Sequence, residues 1–106
     1  MAAASAKHDV FQAIADPTRR RMLHLLADQE LPITQIAASF PISRTAVNKH
    51  LHVLAEAGLL SKRRAGRETR FKLQAEPLTE LQQWLAFFEQ YWDEHLLALK
   101  EYVESE

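Results

Sequence analysis

The segment from Leu31 to Leu60 constrains the fold more than any other part of the chain, because it contains two short helical patterns separated by a tight turn. The first pattern covers residues 34–39, with Thr34 as its predicted N-cap. Pro41 lies in the turn, where it has no backbone N–H to donate and disfavours helical geometry in the residue before it. Ser43 is predicted to cap the second helix by accepting a bond from a free backbone N–H. A helix-turn-helix is therefore the motif expected of this segment.

The second helix of this segment has one apolar face and one polar face. Val47, Leu51 and Leu54 recur at spacings of four and three residues, so they share the buried side. Gly58 is expected to end the helix, since glycine adopts positive φ at little cost. The outward face and its cap are predicted to contact double-stranded DNA, and this set is Ser43, Arg44, Thr45, Asn48, Lys49 and His52.

Three of these side chains are predicted to read bases in the major groove. Arg44 can donate two hydrogen bonds to guanine, at O6 and N7. Asn48 can pair with adenine, and the Thr45 methyl can touch thymine. Two copies of the helix in a homodimer would enter successive grooves about 34 Å apart, which predicts an inverted-repeat operator.

Residues 61–74 are predicted to form two strands joined by a turn at Ala65 and Gly66. Phe71 and Leu73 alternate with charged neighbours, the period-two pattern of a half-buried strand. Six Lys and Arg residues lie between positions 62 and 72. A hairpin of this kind directly after a helix-turn-helix indicates a DNA-contacting wing; the alternative is an edge hairpin whose charges block aggregation. The predicted phosphate contacts of the wing are Arg63, Arg64, Arg67 and Arg70.

One long helix is predicted over residues 77–104, beginning at Pro77. Its leucines and aromatic residues form two adjoining stripes, a wider apolar face than one neighbour usually covers. A helix of that length extends about 40 Å, more than the small domain it belongs to. One stripe is therefore expected to pack on its own domain and the other on a second copy of the chain. The alternative is a helix that lies over one monomer core.

Two helices are predicted at the start of the chain. The first covers residues 8–15, and the second begins with Asp16 as its N-cap and extends to about residue 28. Residues 1–7 show no periodicity and are expected to be a loose terminus. Three arginines in the first turns of the second helix either form a solvated face, contact phosphate or form a structural ion pair, and the sequence leaves these alternatives open: Arg19, Arg20 and Arg21.

The distribution of charge separates the chain into two parts although the net charge is only −1. Residues 1–75 contain twelve Lys or Arg and six Asp or Glu, whereas residues 76–106 contain one Lys and eight Asp or Glu. A basic body with an acidic last helix is expected of a DNA-binding domain in which a separate element, the last helix, lies away from the DNA. With 106 residues a single domain over 1–106 is expected. A cytoplasmic location is expected too, since no signal peptide or membrane-spanning run is present.

The run VNKHLHVLAEAGLL at 47–60 resembles the recognition-helix signature of the ArsR/SmtB family of bacterial repressors. ADPTRR at 15–20 resembles the start of that family's second helix, and residues 63–67 resemble its wing. The resemblance implies a mainly α winged helix-turn-helix with a small β-hairpin wing and long N- and C-terminal dimerisation helices. It also implies that His50 is structural. The chain is similar to a subgroup of this family without metal-ligand cysteines. The dimer interface that the resemblance implies consists of Val10, Phe11, Trp84, Phe88, Tyr91, Trp92, Leu96 and Leu99.

Other kinds of chemistry find little support in the sequence. No nucleophile–base set, Walker loop or dinucleotide fingerprint is present, so no enzyme activity and no cofactor are expected. The chain lacks cysteine. Asp93 and His95 match the opening Asp-x-His of the family's zinc-type site, but the position of the next ligand holds Glu106, so a partial set with His8 would be poorly organised. Two alternatives stay open: a metal-responsive repressor, and a protein-interaction module that uses the aromatic last helix. The sequence does not indicate an effector.

Overall fold

The protein is described by a computed structural model that covers residues 9–105. Within that range six helices and one three-stranded antiparallel sheet follow in the order α1 (Val10–Ala13), α2 (Pro17–Leu25), β1 (Leu31–Pro32), α3 (Ile33–Ala38), α4 (Arg44–Glu56), β2 (Leu60–Ala65), β3 (Glu68–Leu73), α5 (Leu78–Phe87) and α6 (Glu89–Glu104). The predicted class, a winged helix-turn-helix that is mainly α, is confirmed.

The hydrophobic core lies where α1 to α4 meet the sheet. Apolar side chains of this kind stabilise a fold by roughly 1.5–3 kcal/mol each when fully removed from water. The fully buried side chains, which are all aliphatic or methionine, are Met22, Leu26, Ile36, Val47, Leu51, Leu54 and Leu59. The core therefore fixes α4 directly through three of its own residues.

The helix-turn-helix is formed by α3 and α4, and both predicted ends of α4 are confirmed. The Ser43 hydroxyl accepts from the Ala46 backbone N–H at 3.0 Å. Gly58 has φ of 81°, and the Leu59 N–H donates to the Leu54 carbonyl at 3.0 Å, which closes a Schellman motif. The N-cap prediction for Thr34 was wrong. Helix α3 begins at Ile33 instead, and it has no side-chain cap because its N-cap residue is Pro32, whose side chain has no hydrogen-bond acceptor.

The sheet has the order β1-β3-β2, so it contains one strand more than predicted. Strand β1 has only two residues and includes Pro32, which is tolerated because the strand lies at an edge. The hairpin turn consists of Gly66 and Arg67, one residue later than expected, since Ala65 still pairs with Glu68. Gly66 has φ of 66°, a value that two-residue hairpin turns need at such a position.

The N-terminal helices are shorter than predicted. Helix α1 begins after Asp9, whose side chain forms a capping box with Gln12, and it is not a long helix. Asp16 caps α2 as predicted. Helix α2 ends at Leu25 rather than near residue 28, and the Gln29 side chain donates to the Leu25 carbonyl at 3.0 Å just after its end. The predicted loose terminus 1–7 lies outside the described residues.

The C-terminal segment is two helices, not the single helix that was predicted. The break falls at Phe88, where φ is −97° and ψ is 3°, and where the backbone N–H donates to Leu85 three residues back. Its ring contacts Trp84 and Phe87 in α5 and Tyr91 after the break, with ring centroids 4.9–6.2 Å apart. Since no proline or glycine stands near the break, periodicity alone could not predict it.

Candidate nucleic-acid interface

Helix α4 exposes one polar face. Its buried side is held by the core, so the side chains opposite are left in solvent. Every predicted DNA contact of this helix is exposed, including its cap: Ser43, Arg44, Thr45, Asn48, Lys49 and His52. Among them His52 forms an i,i+4 pair with Glu56 at 3.2 Å, and the Ser43 hydroxyl is engaged in the cap. The others make no side-chain bond within residues 9–105 and are open to a ligand.

Arg19 connects the recognition helix α4 to α1. Its Nε donates to the Ala13 carbonyl at 2.7 Å, and its Nη2 donates to the Gln12 carbonyl at 3.1 Å. Its Nη1 lies 3.2 Å from His50 Nδ1 on α4. A guanidinium has no acceptor, so Nδ1 must accept, which places the proton of a neutral His50 on Nε2. His50 is therefore a structural residue, as the resemblance implied.

The other two arginines of α2 also form structural bonds. Arg20 donates to the Ile14 carbonyl at 2.6 Å, and Arg21 donates to the Thr18 hydroxyl at 3.3 Å. The three arginines thus form hydrogen bonds within the free chain and no ion pair within residues 9–105, and contact of any of them with phosphate stays a prediction.

The wing presents two faces, because successive residues of a strand point to opposite sides. Lys62 and Thr69 line a cleft between α4 and the sheet, which they share with Asn48 and His52 of the recognition helix. Arg64 is the cross-strand partner of Thr69 and lies on the same face. The cleft joins the polar face of α4 to the wing, so the two predicted DNA-binding elements form one continuous surface.

The opposite face of the wing carries a charge cluster centred on Glu30. Arg63 donates to both oxygens of this carboxylate at 2.8 Å, and Arg70 Nε donates to Oε1 at 3.3 Å. Arg70 also donates to Glu68 at 2.9 Å. The hydrogen bond from Arg63 lowers the pKa of the Glu30 carboxyl, and Glu30 in turn raises the pKa of Arg63. Two of the four predicted wing contacts are thus neutralised by acids, whereas Arg64 and Arg67 have no such partner within residues 9–105.

A second exposed surface lies on the C-terminal helices. Trp84 packs edge-on against Phe11 of α1, with ring centroids 5.8 Å apart, yet it is still 53% exposed. No residue of α5 or α6 is buried, and the exposed apolar side chains are Trp84, Leu85, Phe87, Tyr91, Trp92, Leu96, Leu97, Leu99, Tyr102 and Val103. Val10, placed in the interface by the resemblance, is only 2% exposed and packs in the core of its own chain.

Comparison with known proteins identifies the family. The helix-turn-helix domain family matches residues 14–63. The transcriptional repressor SdpR of Bacillus subtilis (strain 168) is 35% identical over 76% of this chain and 90% of its own length. The HTH-type transcriptional regulator Rv2034 of Mycobacterium tuberculosis is 34% identical over 91% of this chain and 87% of its own length. The chain belongs to the ArsR/SmtB family.

Solved structures agree with this ArsR/SmtB assignment. An ArsR-like transcriptional regulator from Rhodococcus sp. RHA1 superposes with a TM-score of 0.71 at 33% identity, over 92% of this chain and 89% of that one. Its relatives are DNA-binding transcriptional regulators and not enzymes, and the same holds for this protein. None of the helices described in residues 9–105 is long and apolar enough to cross a membrane.

The residues of this ArsR/SmtB protein do not fit a family metal site well. Asp93 and His95 lie on α6, and His95 Nδ1 is bonded to the Tyr91 carbonyl at 2.7 Å. No group of three possible ligands occurs among residues 9–105. The other two members of the partial set, His8 and Glu106, lie outside the described residues.

Two residues of the DNA-facing region were missed by the sequence analysis. Lys62 was counted as a wing cation but not as a contact, although strand alternation places it on the same face as the buried Phe71, beside α4. Glu30 was not singled out, because its partners Arg63 and Arg70 are 33 and 40 residues away. The period-two pattern of the strand could have indicated Lys62, whereas no local pattern could have indicated Glu30.

Proposed function

We propose that the protein is a homodimeric repressor that binds an inverted-repeat operator in bacterial DNA. The observation that carries this proposal is the separation of two exposed surfaces: the polar face of α4 with the adjoining wing, and the apolar face of α5 and α6. A winged helix-turn-helix uses the first for DNA. The second exposes ten large apolar side chains, and exposed apolar surfaces of this kind mark sites of protein–protein contact. The action at the chromosome places the protein in the cytoplasm.

On the α4 side, some side chains would contact the bases and others would contact the phosphates. Arg44 and Asn48 are the side chains suited to hydrogen bonds with guanine and adenine edges, and the Thr45 methyl suits thymine. Lys49 and the unpaired wing arginines, Arg64 and Arg67, would neutralise phosphates, which orients the helix without specifying sequence. A bound dimer blocks access of polymerase, so repression is the expected output.

Pairing on the α5 and α6 side would bury the aromatic and leucine side chains against their symmetric copies. The proposed interface consists of residues that are exposed or only partly buried in the free chain: Phe11, Trp84, Phe88, Tyr91, Trp92, Leu96 and Leu99. Val10 is omitted because it is already buried. The acidic residues concentrated after position 76 would then lie on the pairing side of the molecule, remote from phosphate.

Footprinting on the promoter of the protein's own gene, followed by a salt titration on the protected duplex, tests the proposal. A DNA-binding dimer should protect two half-sites one helical turn apart and should lose affinity steeply with salt. The competing idea, a protein-interaction module that uses the aromatic helices, gives no footprint and no such salt dependence.

Removal of two wing arginines that have no acidic partner within residues 9–105 should weaken binding to every DNA sequence. We expect Arg64→Ala with Arg67→Ala to reduce the slope of log affinity against log salt by about 4 for the bound dimer, because two contacts are lost in each protomer and each phosphate contact contributes roughly 0.9. Lys100→Ala, which removes the one basic residue after position 76, is the matched control and should leave the slope unchanged. An unaltered slope in the double variant would remove the wing from the mechanism.

Metal ions should not control operator binding. Because Asp93 and His95 have no third ligand near them within residues 9–105, stoichiometric zinc, cobalt or cadmium is expected to leave operator affinity within error. The measurement is fluorescence anisotropy of labelled operator, with a cobalt absorption spectrum recorded in parallel. Tight stoichiometric cobalt binding together with release of DNA would contradict the prediction, and Asp93→Asn would then show whether this pair supplies the ligands.

A further inference from the structure

The hairpin of the wing contains a pair of like charges that should destabilise it. Arg63 on β2 and Arg70 on β3 are direct cross-strand partners, and like charges directly opposite each other in a sheet repel. Both side chains lie on the face turned away from α4. An element that contacts DNA would be expected to turn such cations toward the phosphates, so their position needs another explanation.

Glu30 supplies that explanation, because one residue bonds to both arginines. Its carboxylate accepts a bidentate pair of bonds from Arg63 at 2.8 Å and a third bond from Arg70 at 3.3 Å. Its backbone carbonyl accepts from Arg70 as well, at 3.3 Å. Bidentate arginine–carboxylate pairs are among the more geometrically specific interactions in proteins. The arrangement therefore restricts orientation as well as neutralising charge.

The position of Glu30 in the chain gives this cluster a mechanical role. Glu30 immediately precedes β1, and β1 passes directly into α3, the first helix of the helix-turn-helix. In the sheet order β1-β3-β2, the bonds from Glu30 reach across β3 to the outer strand β2. One carboxylate therefore connects the segment that begins the helix-turn-helix to both strands of the wing.

We propose that Glu30 is a positioning residue for DNA binding, which holds the wing at a fixed angle to the recognition helix, and that Arg63 and Arg70 serve this anchor rather than the phosphates. The inference rests on the proposed DNA-binding surface. With the outer face anchored, Lys62 on the inner face is held beside Asn48 and His52, and Arg64 lies on that same inner face, which gives the wing and α4 a common orientation toward the duplex.

The sign of one substitution distinguishes this anchor from simple electrostatics. Glu30→Gln removes a negative charge near the wing, so electrostatics alone would tighten DNA binding. A positioning role requires the opposite, and we expect operator affinity to fall about tenfold, equivalent to about 1.4 kcal/mol. Asp28→Asn is the matched control, since Asp28 is an exposed acid two residues earlier that makes no side-chain bond within residues 9–105. This control should bind as tightly as the wild type or slightly more tightly.

A double-mutant cycle tests the role of Arg63. If Arg63 acts through Glu30, Arg63→Ala should weaken binding in the wild-type background and have little further effect in Glu30→Gln, because the two residues function as a unit. If Arg63 contacts phosphate directly, the substitution should cost the same in both backgrounds and lower the salt slope in each. Equal costs would overturn the proposal.

Hydrogen exchange on the free protein tests the anchor without DNA. The amides that pair β2 with β3 should exchange faster in Glu30→Gln than in the wild type or Asp28→Asn, while the amides of α2 keep their protection and so report an intact fold. Unchanged exchange in the wing, or tighter operator binding by Glu30→Gln, would contradict the proposal. Failure of the wild type itself to bind any duplex would instead refute the proposed function, and the exchange experiment would still decide whether Glu30 anchors the wing.

Discussion

A chain that carries Leu96→Glu and Leu99→Glu should no longer bind an inverted repeat, because it should no longer form the dimer. Both side chains are on α6 and are exposed in the free chain, at 60% and 59%. Next to a two-fold axis each glutamate would lie close to its symmetric copy, so each loses hydration and each repels the other. Sedimentation should show a monomer or aggregated chain, and operator affinity should fall to the level of non-specific DNA.

The wild type provides the complementary measurement. If the dimer is part of the stable fold, its melting temperature should rise with protein concentration over a hundredfold range. The variant Gln90→Glu with Ser105→Glu is the matched control, since it adds the same two charges to exposed positions near the start of α6 and just after its end. That control should still dimerise. A wild type that sediments as a folded monomer at micromolar concentration, with a constant melting temperature, would exclude the dimer.

Replacement of Arg44 and Asn48 by alanine should remove most of the protein's preference for its operator. Each base contact of this type discriminates by about 1–3 kcal/mol, so the double variant should lose about 2–6 kcal/mol at each half-site of the operator. The loss on random duplex should be much smaller, since neither side chain is needed to hold the backbone. The measurement is a pair of binding curves, on operator and on scrambled DNA, at one fixed salt concentration.

A second variant on the same helix provides the comparison. Lys49→Ala removes an exposed cation assigned to phosphate, so it should weaken operator and scrambled DNA equally and lower the salt slope by roughly 0.9 for each protomer of the bound dimer. If the Arg44 and Asn48 variant instead loses the same amount on both duplexes, these side chains touch only the backbone. The residues that specify the operator would then have to be sought elsewhere on α4.

Features that depend on neighbouring residues were predictable from the sequence. Helices α2 and α4 begin after Asp16 and Ser43, and α4 ends before Gly58, as expected. These residues were predictable because a cap bonds to groups within three to five residues of itself. The buried side of α4 followed from its spacing in the same way. The exposed DNA-contact set was predicted from that same periodicity, and its contacts with bases and phosphates remain predictions.

Features that depend on distant or geometric context were not predictable. Strand β1 has only two residues and exists because Leu31 pairs with Phe71 and Pro32 pairs with Arg70, far along the chain in β3, so no local pattern indicates it. The Glu30 cluster is non-local for the same reason. The break at Phe88 was not predictable for a different reason. The helical periodicity of the segment continues through the break, and what accompanies the interruption is the packing of aromatic rings around it.

Arg19 has a consequence for the spacing of the two half-sites. Phe11 on α1 touches Trp84 on the proposed pairing surface, and Arg19 bonds both to the end of α1 and to His50 on α4. No flexible linker separates the pairing surface from the recognition helix along this route. In the proposed dimer the distance between the two α4 helices is therefore set by packed side chains and short hydrogen bonds. The number of base pairs between half-sites becomes a property of the core, in contrast to regulators whose DNA-binding heads are tethered by a loose chain.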